Sequence, residues 1–400
     1  MMLRKHVRCN SKVFLFYLLL LLLLVFMLNR YFKKKSLIFE ITTLEKSKLK
    51  MCARPKIEIH VEQPRYVRMY TEVQYDLNPK TILLWTTIPS YNTRPCYYFF
   101  FDGKITFKKY HCPYSDCIVT SNRSLQKSAD AIMFHQKYFN PLDLPKSRLI
   151  NQKWIFYDLE SPVRFKVPWY TKNNMFNWTM SYRSDSDVQV KYGEVCQLPP
   201  EEWEVKDENY LRNKSGEVLW FVSHCSTANN RNDYVKQLSK YIRVDIYGKC
   251  GTLKCGPTQS AKCYEDILKR YKFYLSFENA NCKEYVTEKL FNVLNYDILP
   301  VVMGSADYEA ITPPNSVISA MDFPNPADLA QFLKTVGSNR TLYNSYFEWK
   351  GKFKSYLHPW MCNLCKKLHL LAGERTERND IYKWWYTDAD CKKWKSNKFV

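Results

Sequence analysis

The chain has 400 residues, with 60 Lys and Arg against 39 Asp and Glu, a net charge of +21, a 46% hydrophobic share and only ten glycines. These values exclude a disordered or collagen-like protein, and the length favours two compact domains with short appendages over a single core. Aromatic residues reach 16%; most are expected inside cores, where large rings contribute the most buried area.

An unbroken, charge-free apolar run from Val13 to Leu28 comes first. It falls a little short of the roughly 20 residues that span a bilayer, and Tyr31 and Phe32 extend it into the interface. No small residues follow that would suit a cleavage site, so the segment 13–32 predicts an uncleaved signal anchor behind a cytoplasmic tail, residues 1–12. Basic residues flank both sides of the run, and charge alone does not orient it. Acceptor sequons begin at Asn122, Asn177, Asn213 and Asn339, and thirteen of the fourteen cysteines lie beyond the anchor. Both features suit an oxidising lumen. Residues 33–75, rich in Lys and Glu and without periodic apolar pattern, predict a stem.

Cys362 and Cys365 have the spacing of half a zinc ribbon, but no second pair follows at ribbon distance, and four residues separate Cys250 from Cys255. A disulfide within each pair is the expectation. Thirteen being odd, at least one lumenal thiol is expected to stay free or to pair between chains.

Residues 76–200 predict a first α/β domain, with buried strands at Thr81–Ile88, Tyr97–Phe101, Ala129–Phe134 and Lys153–Leu159. Gln197 to Ser215, charged and with two prolines, reads as a linker. In a second domain, residues 201–365, the pattern alternates cleanly. Strands are expected at Glu217–Ser223, Ile242–Tyr247, Phe273–Phe277 and Ile298–Met303, with helices at Arg231–Tyr241, Ala261–Arg270, Glu284–Tyr296 and Ala327–Val336. Strands alternating with ten-residue helices predict a parallel, doubly wound sheet, which binds ligands at the carboxyl ends of its strands. An extension, residues 366–400, carries Trp384, Trp385, Cys391 and Trp394, which suggest docking onto the body.

On the expected helix Glu284–Tyr296, Val286, Leu290, Val293 and Leu294 form an apolar stripe, while Tyr285, Glu288, Lys289 and Asn292 share the opposite face. Periodicity alone describes an ordinary amphipathic helix. However, the preceding strand ends in Phe277-Glu278-Asn279-Ala280, so this polar face starts near the carboxyl edge of the sheet, where a Lys and a helix N-terminus suit a diphosphate. Arg231, opening another helix after a loop of small polar residues, would complete a two-cation clamp with Lys289. No Gly-x-Gly-x-x-Gly or Walker loop occurs, so neither a dinucleotide dehydrogenase nor a P-loop kinase is supported. The pair Asp185 and Asp187 has the form of a metal-holding motif, but it lies far along the chain from Arg231 and Lys289. Nucleic acid is disfavoured as a partner by the lumenal topology and by basic residues that are spread rather than aligned; surplus positive charge better suits an anionic sugar nucleotide.

Tyr285-Val-Thr-Glu-Lys289, preceded by Phe273-Tyr-Leu-Ser-Phe-Glu-Asn279, resembles the signature of the α1,3-fucosyltransferase family. The blocks Leu159-Glu-Ser-Pro162, Phe176 to Asp187, Val244 to Gly251, Tyr346 to Lys350 and the Cys362/Cys365 pair are similar to family blocks in the same order, from about Thr81 to Cys365. The resemblance implies a Golgi type II single-pass membrane enzyme of the two-domain GT-B fold, with Rossmann-like domains facing across a cleft: the acceptor side first, GDP-fucose in the second. It implies inverting transfer of fucose to N-acetylglucosamine on glycoprotein or glycolipid glycans, with no metal required and manganese stimulation left open. Carried over by residue, Arg231 and Lys289 would hold the diphosphate, Tyr285 and Glu288 would contact the nucleoside or stabilise developing charge, and Asn279 would line the donor pocket.

One position departs from the family. Where relatives carry an acidic residue taken to be the base, this chain has Tyr138, after His135-Gln136-Lys137. An ordinary tyrosine, with a pKa of about 10, is a poor base near neutrality. His135, Glu160 or Asp143 would then have to take the proton; the alternative is a catalytically weak relative that binds glycans or forms complexes.

Overall fold

In the computed structural model the described residues are 49–52, 78–86, 103–110, 112–164, 175–204, 207–255, 261–356, 361–371 and 380–400. All of them belong to one compact unit, Leu49–Val400. The expected anchor, most of the stem and the strand expected at Tyr97–Phe101 lie outside the described residues; among those described, no helix is long and apolar enough to cross a membrane.

The strands are β1 (Lys50–Met51), β2 (Lys80–Leu84), β3 (Cys117–Thr120), β4 (Ala131–His135), β5 (Lys153–Tyr157), β6 (Trp178–Ser181), β7 (Val188–Gln189) and β8 (Glu194–Gln197). They continue as β9 (Gly216–Phe221), β10 (Val244–Tyr247), β11 (Tyr271–Phe277), β12 (Leu299–Met303), β13 (Ile318–Ser319), β14 (Phe353–Tyr356), β15 (Trp394–Lys395) and β16 (Lys398–Phe399). Two parallel sheets dominate, one in the order β3-β2-β4-β5-β6-β7 and the other β10-β9-β11-β12-β13. In each, the chain starts inside the sheet, steps to one edge and returns past its starting strand to fill the other side. The direction of winding therefore reverses between β2 and β4 and again between β9 and β11, and a reversal point opens a crevice at the strand carboxyl ends.

Alternation explains why these runs became central strands. In β4, Ala131 and Met133 join one core while Ile132 and Phe134 join the core on the opposite face. In β11, Phe273, Leu275 and Phe277 pack with the helices Arg231–Leu238 and Pro326–Ser338, and Tyr274 faces the other way. Continuous apolar strands of this kind are the mark of sheets covered on both faces.

Several expected elements change. The helix expected from Glu284 begins only at Glu288 and ends at Phe291, followed by a 3-10 turn at Val293–Asn295. Glu284 has φ of 62° and the Thr287 side chain caps the helix at the Lys289 N–H, so Tyr285 and Val286 sit in a loop and Tyr285 is buried, not on a solvent face. The short strands β3, β6, β7 and β8 were not expected. The expected linker starts on β8, which β1 and β14 flank in a small third sheet.

Both expected local disulfides are replaced. Cys362 and Cys365 lie three apart on the helix Met361–Leu371, where Cβ atoms are about 5–6 Å apart against the roughly 3.8 Å that a bridge needs. They pair instead with Cys112 and Cys117, fastening that helix to the first sheet. Cys250 pairs with Cys225, because the two follow neighbouring strands β10 and β9, and Cys255 pairs with Cys263. Cys52–Cys196 and Cys282–Cys391 complete the described bridges, and Cys96 lies outside the described residues. Of the sequons, Asn122, Asn213 and Asn339 are exposed, whereas Asn177 is buried and its Oδ1 accepts from the Trp154 N–H at 2.8 Å. A glycan there would displace a core contact.

Candidate active site

The carboxyl edges of the two large sheets meet. Glu160, just past β5, reaches Tyr285 past β11, with 3.4 Å between its Oε2 and the phenol oxygen. Ser184, past β6, donates from its backbone N–H and hydroxyl to the Glu284 carboxylate at 2.7 and 2.9 Å. Arg164 lies 3.0 Å from a ring nitrogen of His224, which follows β9.

Arg231 stands at the reversal point of the second sheet. Its guanidinium, 3% exposed, donates to the Phe277 carbonyl at the end of β11 (2.6 Å) and to the His224 carbonyl beyond β9 (3.2 Å), and its Nε is buried without a partner. It thus ties together the two strand ends that border the crevice. Burial pulls its pKa down, and the neighbouring Glu278 opposes this. Asn229 sets the approach of Arg231: its Oδ1 accepts the Arg231 N–H at 3.3 Å, and its Nδ2 donates to the Glu278 carbonyl and to Asn281 Oδ1, both at 2.8 Å.

Lys289 belongs to the same cluster. Its ammonium lies 3.3 Å from the Glu278 carboxylate, 3.3 Å from Glu288 and 2.8 Å from the Thr287 hydroxyl. The side chain is 30% exposed whereas Glu278 is 1% exposed, so a ligand has access to the cation while the carboxylate stays beneath it. Burial lowers the lysine pKa, but Glu278 and then Glu288 outweigh it, and the ammonium is held in its charged form. Burial pushes the Glu278 carboxyl up; Lys289 and the Thr287 N–H, which donates at 2.8 Å, work against that rise. Glu278 is thus the buried carboxylate that pairs with Lys289 and whose charge also acts on Arg231, although sequence reading gave it no role. Asn279, expected in the donor pocket, follows it directly and has a buried, unpartnered Oδ1.

Glu288 opens the short helix with its side chain 46% exposed. Tyr285 is 1% exposed, packed edge-on against Tyr182 at 4.9 Å, and burial raises its pKa well above the usual phenol value. It therefore lies in a loop between the two sheets and not on the solvent-facing side of a helix.

His135 ends β4 at the reversal point of the first sheet, and its backbone N–H donates to the Thr86 hydroxyl at 2.9 Å. Its ring is buried, edge-on to Tyr138 and Tyr157, with Nδ1 accepting the Lys137 N–H at 3.2 Å. Burial, then the charge of Lys137, lowers its pKa to about 4, so the ring is neutral and weakly basic. Asp143 is held by both Arg123 Nη atoms at 2.8 and 2.7 Å. Asp158 escaped sequence reading: it is 1% exposed, its Oδ1 accepts the Glu160 N–H at 2.8 Å, and its Oδ2 is buried without a partner. Burial raises its pKa to about 8, with the nearby Glu160 charge adding to the rise and the Glu160 N–H opposing it. Its only signal was its place two residues before Glu160. The pair Asp185 and Asp187 is engaged within the protein, the first by Arg183 at 2.7 Å and the second by the Thr179 N–H and hydroxyl at 2.8 Å.

A family model described as "Glycosyltransferase family 10 (fucosyltransferase) C-term" matches residues 211–384, and "Fucosyltransferase, N-terminal" matches residues 77–193. The chain belongs to the family 10 fucosyltransferases. Glycoprotein 3-alpha-L-fucosyltransferase A of Drosophila melanogaster is 36% identical over 84% of this chain and 67% of its own length. Alpha-(1,3)-fucosyltransferase C of the same organism is 32% identical over 84% of this chain and 81% of its own. A solved alpha1,3-fucosyltransferase with GDP-fucose matches at a TM-score of 0.47 and 17% identity, covering 82% of this chain and 95% of that one. This family 10 chain is accordingly a glycosyltransferase.

Proposed function

We propose that this enzyme transfers L-fucose from GDP-fucose to a hydroxyl of N-acetylglucosamine in a glycoprotein or glycolipid glycan, forming an α1,3 linkage with inversion. The observation that carries the reading is the Glu160–Tyr285 contact: it brings a carboxylate from the first sheet to the edge where Arg231 and Lys289 gather on the second. Arg231 and Lys289 hold the donor diphosphate, with the exposed ammonium leaving Glu278 and Glu288 for the phosphates. Asn279 lines the donor pocket, and Glu288, at the mouth, contacts the nucleoside or stabilises charge developing on the sugar. Glu160 takes the acceptor hydroxyl proton as the new C1–O bond forms on the face opposite the leaving group. The bond from C1 to the phosphate oxygen breaks and its electron pair departs on GDP, whose added charge the two cations stabilise.

This reading needs no metal, since cations of the protein neutralise the diphosphate; manganese stimulation is a matter for assay. The rival reading, a catalytically weak relative that binds glycans, rests on Tyr138 and is weakened by the presence of Glu160. His135, neutral and already accepting a hydrogen bond, serves better to support the first-sheet crevice than to take a proton. The compartment that fits is the Golgi lumen, with the 13–32 segment as a single-pass type II anchor. Incubation of the purified protein with GDP-fucose and a panel of defined GlcNAc-containing acceptors tests the activity. A fucosylated product is expected; measurable GDP binding with no product on any acceptor would refute transfer and leave the binder.

A further inference from the structure

The family model ends at residue 384, yet the chain after it is not a loose appendage. Ile381, Trp384, Trp385 and Ala389 are buried in the core on one face of the first sheet, together with Ala280, Cys282 and Tyr285 of the second half of the chain. The segment then runs beside the loop that leaves β11. The Lys283 N–H donates to the Ala389 carbonyl at 2.7 Å, Cys391 is bonded to Cys282, and the Lys392 N–H donates to the Asn281 carbonyl at 2.9 Å. Two residues later it reaches the loop that leaves β9. The Trp394 N–H donates to the Asn229 carbonyl at 2.9 Å, and Asn230 Nδ2 donates to the Trp394 carbonyl at 2.8 Å. The Trp394 ring, 2% exposed, packs edge-on against Tyr234 at 4.9 Å, on the helix that Arg231 opens.

The two loops gripped in this way are those that border the reversal point of the second sheet. Asn229 and Asn281, each touched by the segment through its backbone, are bonded to one another, and Asn229 also holds the Arg231 N–H and the Glu278 carbonyl. A path of direct contacts therefore leads from Cys391 and Trp394 to the backbone of Arg231 and to the peptide bearing Glu278.

We propose that the segment Ala389–Phe399 is a positioning strap for the donor-binding loops, with Cys391 and Trp394 as its fixing points, which preorganises Arg231 and Asn279 for the nucleoside diphosphate. This rests on the donor site proposed above. Neither Cys391 nor Trp394 is a catalytic residue; each acts through Asn281 or Asn229. Loosening the strap should weaken the donor more than the acceptor, because the cost falls on ordering the loops that the donor must find ordered.

The test uses the full chain in four variants: the paired Cys282→Ser/Cys391→Ser, Trp394→Ala, the conservative Trp394→Phe, and Arg231→Ala as a control on the site itself. GDP affinity by calorimetry, KM for GDP-fucose and for acceptor, kcat, and thermal midpoint are read for each. The strap predicts a rise of about tenfold or more in GDP Kd and in donor KM for the cysteine pair and for Trp394→Ala. Acceptor KM should change little, and Trp394→Phe should recover most of the loss. Donor and acceptor KM rising together, or unchanged GDP affinity beside a lowered melting midpoint, would overturn it and leave a merely structural tail. If Arg231→Ala itself binds GDP normally, the donor site is misplaced; if only that variant loses GDP, the strap alone fails.

Discussion

Replacing Lys289 by Met separates the proposed ligand role of the ammonium from its structural one. The residue faces two duties: it lies 3.3 Å from Glu278, which is 1% exposed, and its 30% exposure leaves it open to a donor. Losing one charge-assisted contact to a diphosphate costs about 1.5–3 kcal/mol, which raises the GDP Kd by about ten- to a hundredfold. Stability also suffers, because Glu278 keeps only its Thr287 hydrogen bonds; removing one partner of a fully buried pair costs roughly 3–5 kcal/mol, and the exposure of Lys289 reduces that to about 1–3 kcal/mol. The double variant Glu278→Gln/Lys289→Met removes the uncompensated carboxylate and should recover much of the stability while GDP binding stays weak. Denaturant melts and calorimetric titration with GDP on the two single variants and the double complete the cycle. If Lys289→Met binds GDP as tightly as the parent, the two-cation clamp is refuted. Stability that fails to recover in the double variant would mean that Glu278 and Lys289 are not energetically coupled.

Glu160→Gln keeps the shape of the side chain but removes the proton acceptor, so kcat should fall by about 10²–10⁴-fold with GDP affinity nearly unchanged, and an unaffected kcat would move the base elsewhere. Asp158 has a folded-state pKa of about 8 against 3.8, so the unfolded chain holds fewer protons between those values and its contribution to stability is lost as pH rises from about 4 through 8. Asp158→Asn should therefore gain stability over the parent as pH rises across that window, read as a widening difference in melting midpoint; a difference that does not change with pH defeats the assignment. His135 works in the opposite sense: with its pKa lowered to about 4, its contribution is full above 6.5 and is lost as pH falls toward 4, and His135→Gln should flatten that acid limb in pH-dependent melts. Gly248 has φ of +97°, and a Cβ there would sit 2.5 Å from the Val222 carbonyl oxygen, so Gly248→Ala should cost about 2 kcal/mol or more in a denaturant melt, with near-parental stability as the contrary outcome.

Much of the second sheet's carboxyl edge was legible in the sequence. The strand ending at Phe277 and the helix opening at Arg231 were expected from apolar runs bounded by polar loops, and their placement at a carboxyl edge follows from the alternation of strands and helices. The helix at Glu284 was misread for a local reason: periodicity sees the stripe Val286, Leu290, Val293 and Leu294, but not that Thr287 caps the helix one turn late. Glu278 was overlooked because a carboxylate at a strand end usually faces water, and only the folded loop brings Thr287 and Lys289 to it once it is buried.

By itself the sequence determined the parallel sheets, since β4, β9, β11 and β12 are apolar runs that must be covered on both faces, and it determined which residue types stand at their carboxyl ends. Pairings between residues far apart along the chain were decided only by tertiary structure: Cys362 with Cys112 across 250 positions, Cys282 with Cys391 across 109, and Glu160 with Tyr285 across 125. Local spacing constrains geometry over one or two turns of a helix or along one strand, whereas the meeting of two sheet edges depends on how each sheet is wound and on which faces its helices cover.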